Sequence, residues 1–282
     1  MGVPEFVGVK DASIHRVGSI IVGHTKACVP TVFRYEWPDD IKRDVVTPSN
    51  REGRITNSDL ELAGLLLLWL CMEAVCALSP GCHVGLFSDN QATVSWVRRM
   101  ASKGSFVAGQ ILRALALRLK VSGASPLTPL HIPGDKNAMT DIPSRSFGSR
   151  PEWHCKTDEE LLTLFNRKFP LPDQTSWTVF RPSKGVLTRV TSVLRMKPST
   201  LDKWRRLPGC GRHIDEIGPA TSGLWEWTLT FRKPGTNDES GASRGLQQGS
   251  GPATTAGAVK SSVELCRRRS RPLARRFPWP SG

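Results

Sequence analysis

The chain has a single tyrosine, Tyr35, in 282 residues, and its seven cysteines include no Cys-x-x-Cys pair. Cysteines that are scattered and odd in number exclude a disulfide framework and suit an intracellular, reducing compartment. Cys82-His83 and His154-Cys155 lack the paired spacing of a zinc site. Long apolar runs are missing too. Within Leu60–Leu78 the uncharged stretch Leu62–Met72 spans 11 residues, whereas a membrane-spanning helix needs about 20. That segment reads as a buried helix, and no membrane partner is expected. The N-terminus carries no signal-peptide pattern. No internal repeat, Ser-His-Asp set or Cys-His set is evident.

Positive charge is abundant. The formal net charge is +14, and the last 51 residues hold 10 Lys/Arg against 3 Asp/Glu. Such a balance favours polyanions, nucleic acid above all. From Pro234 onward the chain is Gly, Ser, Thr, Arg and Pro, the composition of a disordered tail. Its basic run, Arg267-Arg268-Arg269-Ser270-Arg271 with Arg275-Arg276, suits non-specific nucleic-acid binding or nuclear import, or is non-native sequence.

Periodicity predicts an α/β domain over residues 1–150. Phe6–Asp11, Val17–Gly23 and Thr31–Tyr35 read as sequential strands, hence an antiparallel meander. Residues 36–57 read as a long polar loop. A helix is predicted from Ser58 to about Ala77, apolar on nearly every face. Val84–Ser88 is short and apolar, as a central strand would be. Residues 91–103 and 106–121 read as helices, Leu127–Ile132 as a fifth strand, and Asn137–Ser144 as a last short helix. The sum is a mixed five-stranded sheet with flanking helices. Residues 151–231 read as a small accessory helical region or linker, rich in Trp204, Trp225 and Trp227 towards its end. Residues 232–282 form the basic tail.

Four carboxylates stand at element ends. Asp11 closes the first strand, where it is either a turn cap or a ligand. Glu61 opens the long helix. It is either the partner of Ser58 in a Ser-x-x-Glu capping box or a ligand, and Asp59 is the substitute in another register. Asp89 ends the central strand, where an N-cap role and a ligand role are compatible. Asp141 lies on the last helix, and solvation alone accounts for it. Asp135 reads as a loop charge beside Gly134. Several carboxylates gathered at one end of a sheet suit a hard cation such as Mg²⁺.

The stretches Lys10-Asp11-Ala12-Ser13, Asn57-Ser58-Asp59-Leu60-Glu61, Ser88-Asp89-Asn90-Gln91 and Asp141-Ile142-Pro143-Ser144-Arg145 resemble, in this order, the four motifs of the ribonuclease H family. The resemblance is closest to the ribonuclease H-like domain of retroelement polyproteins of the DIRS-like kind, and covers roughly the first half of the chain. It implies a ribonuclease H-like sheet and hydrolysis of the RNA strand of RNA–DNA hybrids. Asp11, Glu61, Asp89 and Asp141 would hold two Mg²⁺ ions, with Mn²⁺ as a substitute. One ion would activate water and the other would stabilise the departing 3′ oxygen. His131, ten residues before Asp141, would assist product or proton departure, or is a structural histidine ending the fifth strand. Arg98, Arg99, Lys103, Arg113, Arg118 and Lys120 would grip the hybrid through its phosphates, or form an ordinary solvated face. An upstream reverse transcriptase part is the implied partner.

Rival readings fit less well. A DDE integrase or transposase places its Glu last, whereas Glu61 falls between Asp11 and Asp89. Asp39-Asp40 lacks the apolar hairpin that displays a polymerase's paired Asp. The region after 150 resembles the linker before a tyrosine recombinase in some DIRS-like elements, but with Tyr35 alone no recombinase activity resides here. The alternative from another class is a catalytically inactive, nucleic-acid-binding or structural remnant. Arg16, in a turn that is usually small and glycine-rich, bears on that alternative.

Overall fold

The computed structural model describes residues 3–23, 28–123, 127–146, 154–172 and 175–198. The expected disordered tail, its arginine run, and Trp204, Trp225 and Trp227 lie outside the described residues.

Three strands form the meander: β1 (Phe6–Ala12), β2 (Arg16–Gly23) and β3 (Thr31–Glu36). Two more, β4 (Val84–Ser88) and β5 (Leu127–His131), add in parallel on the far side of β1. The mixed sheet predicted from sequence is therefore present, but among the described residues it has six strands, in the order β5-β4-β1-β2-β3-β6. The sixth, β6 (Thr178–Val179), is a two-residue strand parallel to β3. Two residues carry no readable alternation, so the sequence pattern held no sign of it.

Among the described residues seven α-helices flank the sheet: α1 (Asp39–Arg43), α2 (Asn57–Val75), α3 (Gln91–Arg99), α4 (Phe106–Ser122), α5 (Ala138–Arg145), α6 (Asp158–Lys168) and α7 (Lys184–Arg195). The short α1 lies inside the segment expected to be a loop. Its Ile41 is buried. Among the described residues no helix is long and apolar enough to cross a membrane.

The two-residue period of the strands sorts side chains onto two faces. Phe6, Ala12, Val17, Ile21 and Phe33 join one core with α2, α4 and α7. Val9, Ile20 and Val32 join the other, with Ile142 of α5, Leu161 and Phe165 of α6, and Trp177. Helix α2 lies between the sheet and the outer helices, which explains why it is apolar all round. The helical extension thus contributes to both cores: Phe165 and Leu194 are fully buried.

Two glycines set how closely helices approach the sheet. A Cβ on Gly8 would meet the Leu68 and Met72 side chains at 2.9 Å. A Cβ on Gly18 would meet the backbone nitrogen of Ser144 at 2.2 Å and the carbonyl carbon of Pro143 at 2.7 Å. Backbone atoms cannot swing aside, so Gly18 is what lets α5 rest on β2. Gly18→Ala should push α5 outward and cost about 1–3 kcal/mol, visible as a lowered midpoint in thermal or urea unfolding. An unchanged midpoint would mean that α5 is not seated on this strand.

Candidate metal centre

Register brings the first two carboxylates together. In the parallel β1–β4 pair, Lys10 stands opposite Ser88. The next residue on each strand is Asp11 and Asp89, so both carboxylates emerge at the same sheet edge. Glu61 comes from the second turn of α2, which packs across β1. One carboxylate oxygen from each of Asp11, Glu61 and Asp89 lies within 4.8 Å of the others. Asp11 and Glu61 are buried and Asp89 is half-buried.

The capping chemistry at α2 differs from the sequence expectation. The N-cap is Thr56, and its reciprocal partner is Asp59. Asp59 accepts from the Thr56 amide at 2.8 Å, from the Thr56 hydroxyl at 2.8 Å, and from the Ser105 hydroxyl at 2.5 Å. Asp59 is thereby consumed by structure. Glu61 is not the capping partner of Ser58, and its side chain turns to the sheet edge. Asp89 is not a cap either. Asn90 caps α3, accepting from the Thr93 amide at 2.9 Å.

Asp11 is fixed from the opposite face. The Ser144 hydroxyl of α5 donates to its Oδ2 at 2.6 Å. Burial raises the Asp89 carboxyl above its ordinary pKa, and neighbouring Asp11 adds to this. Lys10 and the Asn137 side-chain amide act the other way. Asn137 is buried, and its Nδ2 faces Asp89 without completing a well-formed hydrogen bond.

A cation is already built into this cluster. Lys10 has no solvent exposure, and its ammonium is ion-paired with Glu61. Burial draws the Lys10 pKa down from its ordinary value to about 7, while Asp89 and Asp11 raise it. Lys10, Ser144 and Asn137 escaped the sequence reading as site residues. The first had a signal: even-numbered positions of β1 face α2, and a lysine there needs a buried acid.

The remaining candidates divide. Asp141 is outside the group of three. Its carboxylate pairs with Arg145 at 2.9 Å, one helical turn on. His131 ends β5, where its Nε2 is 3.0 Å from the backbone oxygen of Asp89. It is exposed, so it sits beside the cluster on the strand itself. Arg98 and Arg99 on α3, Lys103 after it, and Arg113 and Lys120 on α4 are exposed. Arg98 also donates to the Pro129 carbonyl at 3.2 Å. Arg118 is a correction. It is buried and held by Glu73 at 2.6 and 3.0 Å, because its helical position faces α2. Arg16 begins β2 opposite Glu36, 3.9 Å away.

No protein-family model and no curated protein matches this chain. Among solved structures it is similar to the crystal structure of RNase H1 from the halophilic archaeon Halobacterium salinarum NRC-1. The two share 14% identity over 50% of this chain and 93% of that one, with a TM-score of 0.32.

The donor set of Asp11, Glu61 and Asp89 fits a hard divalent cation, since it offers only carboxylate oxygens at short mutual range. Structure and site should separate under mutation. Asp59→Ala removes the carboxylate half of the capping box, leaving the Thr56 amide and the Ser105 hydroxyl without their acceptor, costing about 1–3 kcal/mol of stability. Glu61→Gln should weaken divalent-ion binding by about 10-fold or more without removing the cap. Calorimetric titration and thermal melting of both variants check this, and equal effects of the two on ion binding would sink the assignment. For Arg118→Ala, which leaves the largely buried Glu73 its Trp69 indole donor but takes away its ion-pair partner, the expected loss is about 3–5 kcal/mol. The readout is urea unfolding, and a loss under about 1 kcal/mol would return Arg118 to the surface.

Proposed function

We propose that this chain hydrolyses the RNA strand of RNA–DNA hybrids with divalent metal ions, as part of a retroelement replication protein. One observation carries the reading. Three carboxylates, from β1, the first turns of α2 and the end of β4, bring oxygens within 4.8 Å of one another at one sheet edge. Bound Mg²⁺ or Mn²⁺ would supply an activated water and charge stabilisation at the departing oxygen.

The protein's own groups have defined tasks in this reading. Asp11, held by Ser144 at 2.6 Å, presents a carboxylate of fixed orientation. Asp89, with its pKa raised by burial and by Asp11, would be stabilised as a carboxylate by a neighbouring cation. Glu61 completes the group from α2. In this reading exposed His131, whose Nε2 lies 3.0 Å from the Asp89 backbone oxygen, would handle a proton on the product side. Asp141, paired with Arg145, would have to leave that partner to serve as the fourth ligand of a two-ion site. Arg98, Arg99, Lys103, Arg113 and Lys120 offer cations to hybrid phosphates from α3, α4 and the loop between them. The RNA strand would be distinguished by its 2′-hydroxyls. An RNA–DNA hybrid is the proposed partner, the basic tail would add affinity for other nucleic acid, and an intracellular reducing compartment suits the cysteines that are free among the described residues.

A second reading has its own observation. The Lys10 ammonium on Glu61 neutralises part of the site, as expected of a domain that binds nucleic acid without cleaving it. Labelled hybrid incubated with Mg²⁺ or Mn²⁺ separates the two. The expected outcome is cleavage of the RNA strand by the wild type and a loss of about 100-fold or more in Asp89→Asn. Hybrid bound by a folded wild-type chain but left intact would select the non-cleaving reading.

A further inference from the structure

We infer that Lys10 is a tethered cation of the carboxylate site: its ammonium holds Glu61, and a divalent ion binds all three carboxylates only by displacing it. This rests on the metal-site reading above and concerns which ion fills the site.

The placement follows from strand parity. Phe6, Gly8, Lys10 and Ala12 share the face of β1 that α2 covers, and Asp11 points to the face that α5 covers. Lys10 is fully buried there. Its stem runs under Gly64 of α2, with Cδ 3.6 Å from where a Cβ of that glycine would stand. Its ammonium ends on Glu61. A buried carboxylate needs a compensating charge, and Lys10 supplies it from the adjoining strand without any ion from solvent. The same contact obstructs an incoming ion twice: it occupies Glu61, and it sets a positive charge beside the entering one. Glu61 alone comes from a helix, while Asp11 and Asp89 come from adjacent strand ends. The helix ligand is thus the one whose availability Lys10 governs.

The test is Mn²⁺ binding to the full chain, followed by calorimetry and by the paramagnetic resonance of the free ion. Lys10→Met should bind one ion on the order of 10–100-fold more tightly than wild type. Lys10→Arg, which keeps the charge, should stay near wild type, and Lys10→Met with Glu61→Gln should lose the gain. If wild type and Lys10→Met bind equally, the inference fails while the metal-site reading stands. If neither binds although both are folded by circular dichroism, both fall. A measurement on wild type guards against a variant that does not fold. The slowly exchanging ammonium signal of Lys10 in nitrogen-15 spectra should shift or vanish on saturation with Mg²⁺. A signal unchanged at saturation would overturn the displacement.

Discussion

The alternation of β1 around Lys10 and Asp11 is the constraint on which the site depends. Consecutive strand residues face opposite sides of the sheet. Lys10 therefore goes under α2, where Glu61 receives it, and Asp11 goes under α5, where Ser144 receives it. A shift of one residue would exchange them, leaving the ammonium against α5 and the carboxylate against Glu61. Register on both sides prevents this. Asp11 pairs with Gly18 across β2, and Lys10 pairs with Ser88 across β4. Gly18 in turn is the place where α5 touches the sheet.

The electrostatics follow from that geometry. Three carboxylates drawn to within 4.8 Å of one another repel, and burial removes the water that would screen them. The raised Asp89 pKa is one consequence. Lys10, the Ser144 hydroxyl and the Asn137 amide are the protein's answers, each from a different element. Two are neutral: Ser144 orients Asp11, and the Asn137 amide faces Asp89. Lys10 alone carries charge, which makes it both a stabiliser of the fold and a competitor for any divalent ion. Farther along α2 the same physics is settled differently. Glu73, its pKa raised by burial, is matched by Arg118 and by the Trp69 indole, and no ligand is needed there.

Much of the sheet was legible because apolar periodicity is local. β1 to β5 and α2 to α5 lie within a few residues of their predicted bounds. What escaped is short or depends on partners. β6 has two residues, α1 has five, and the cap of α2 lies on Thr56 because Asp59 found both Thr56 and Ser105. The motif order pointed to Asp11, Glu61 and Asp89. It pointed equally to Asp141, whose carboxylate turned instead to Arg145.

The sequence by itself determined the strand and helix order, the carboxylates at element ends, and the excess of basic charge. These follow from residue type and from periods of two and 3.6 residues, which the chain carries in any surroundings. Only the tertiary structure decided which carboxylates meet, that Asp59 serves the helix cap and Glu61 the site, that Arg118 is buried, and that Lys10 ends on Glu61. Each of these is a contact between residues far apart in the chain, set by register and packing depth. A side chain's neighbour across such a distance is written in no single segment.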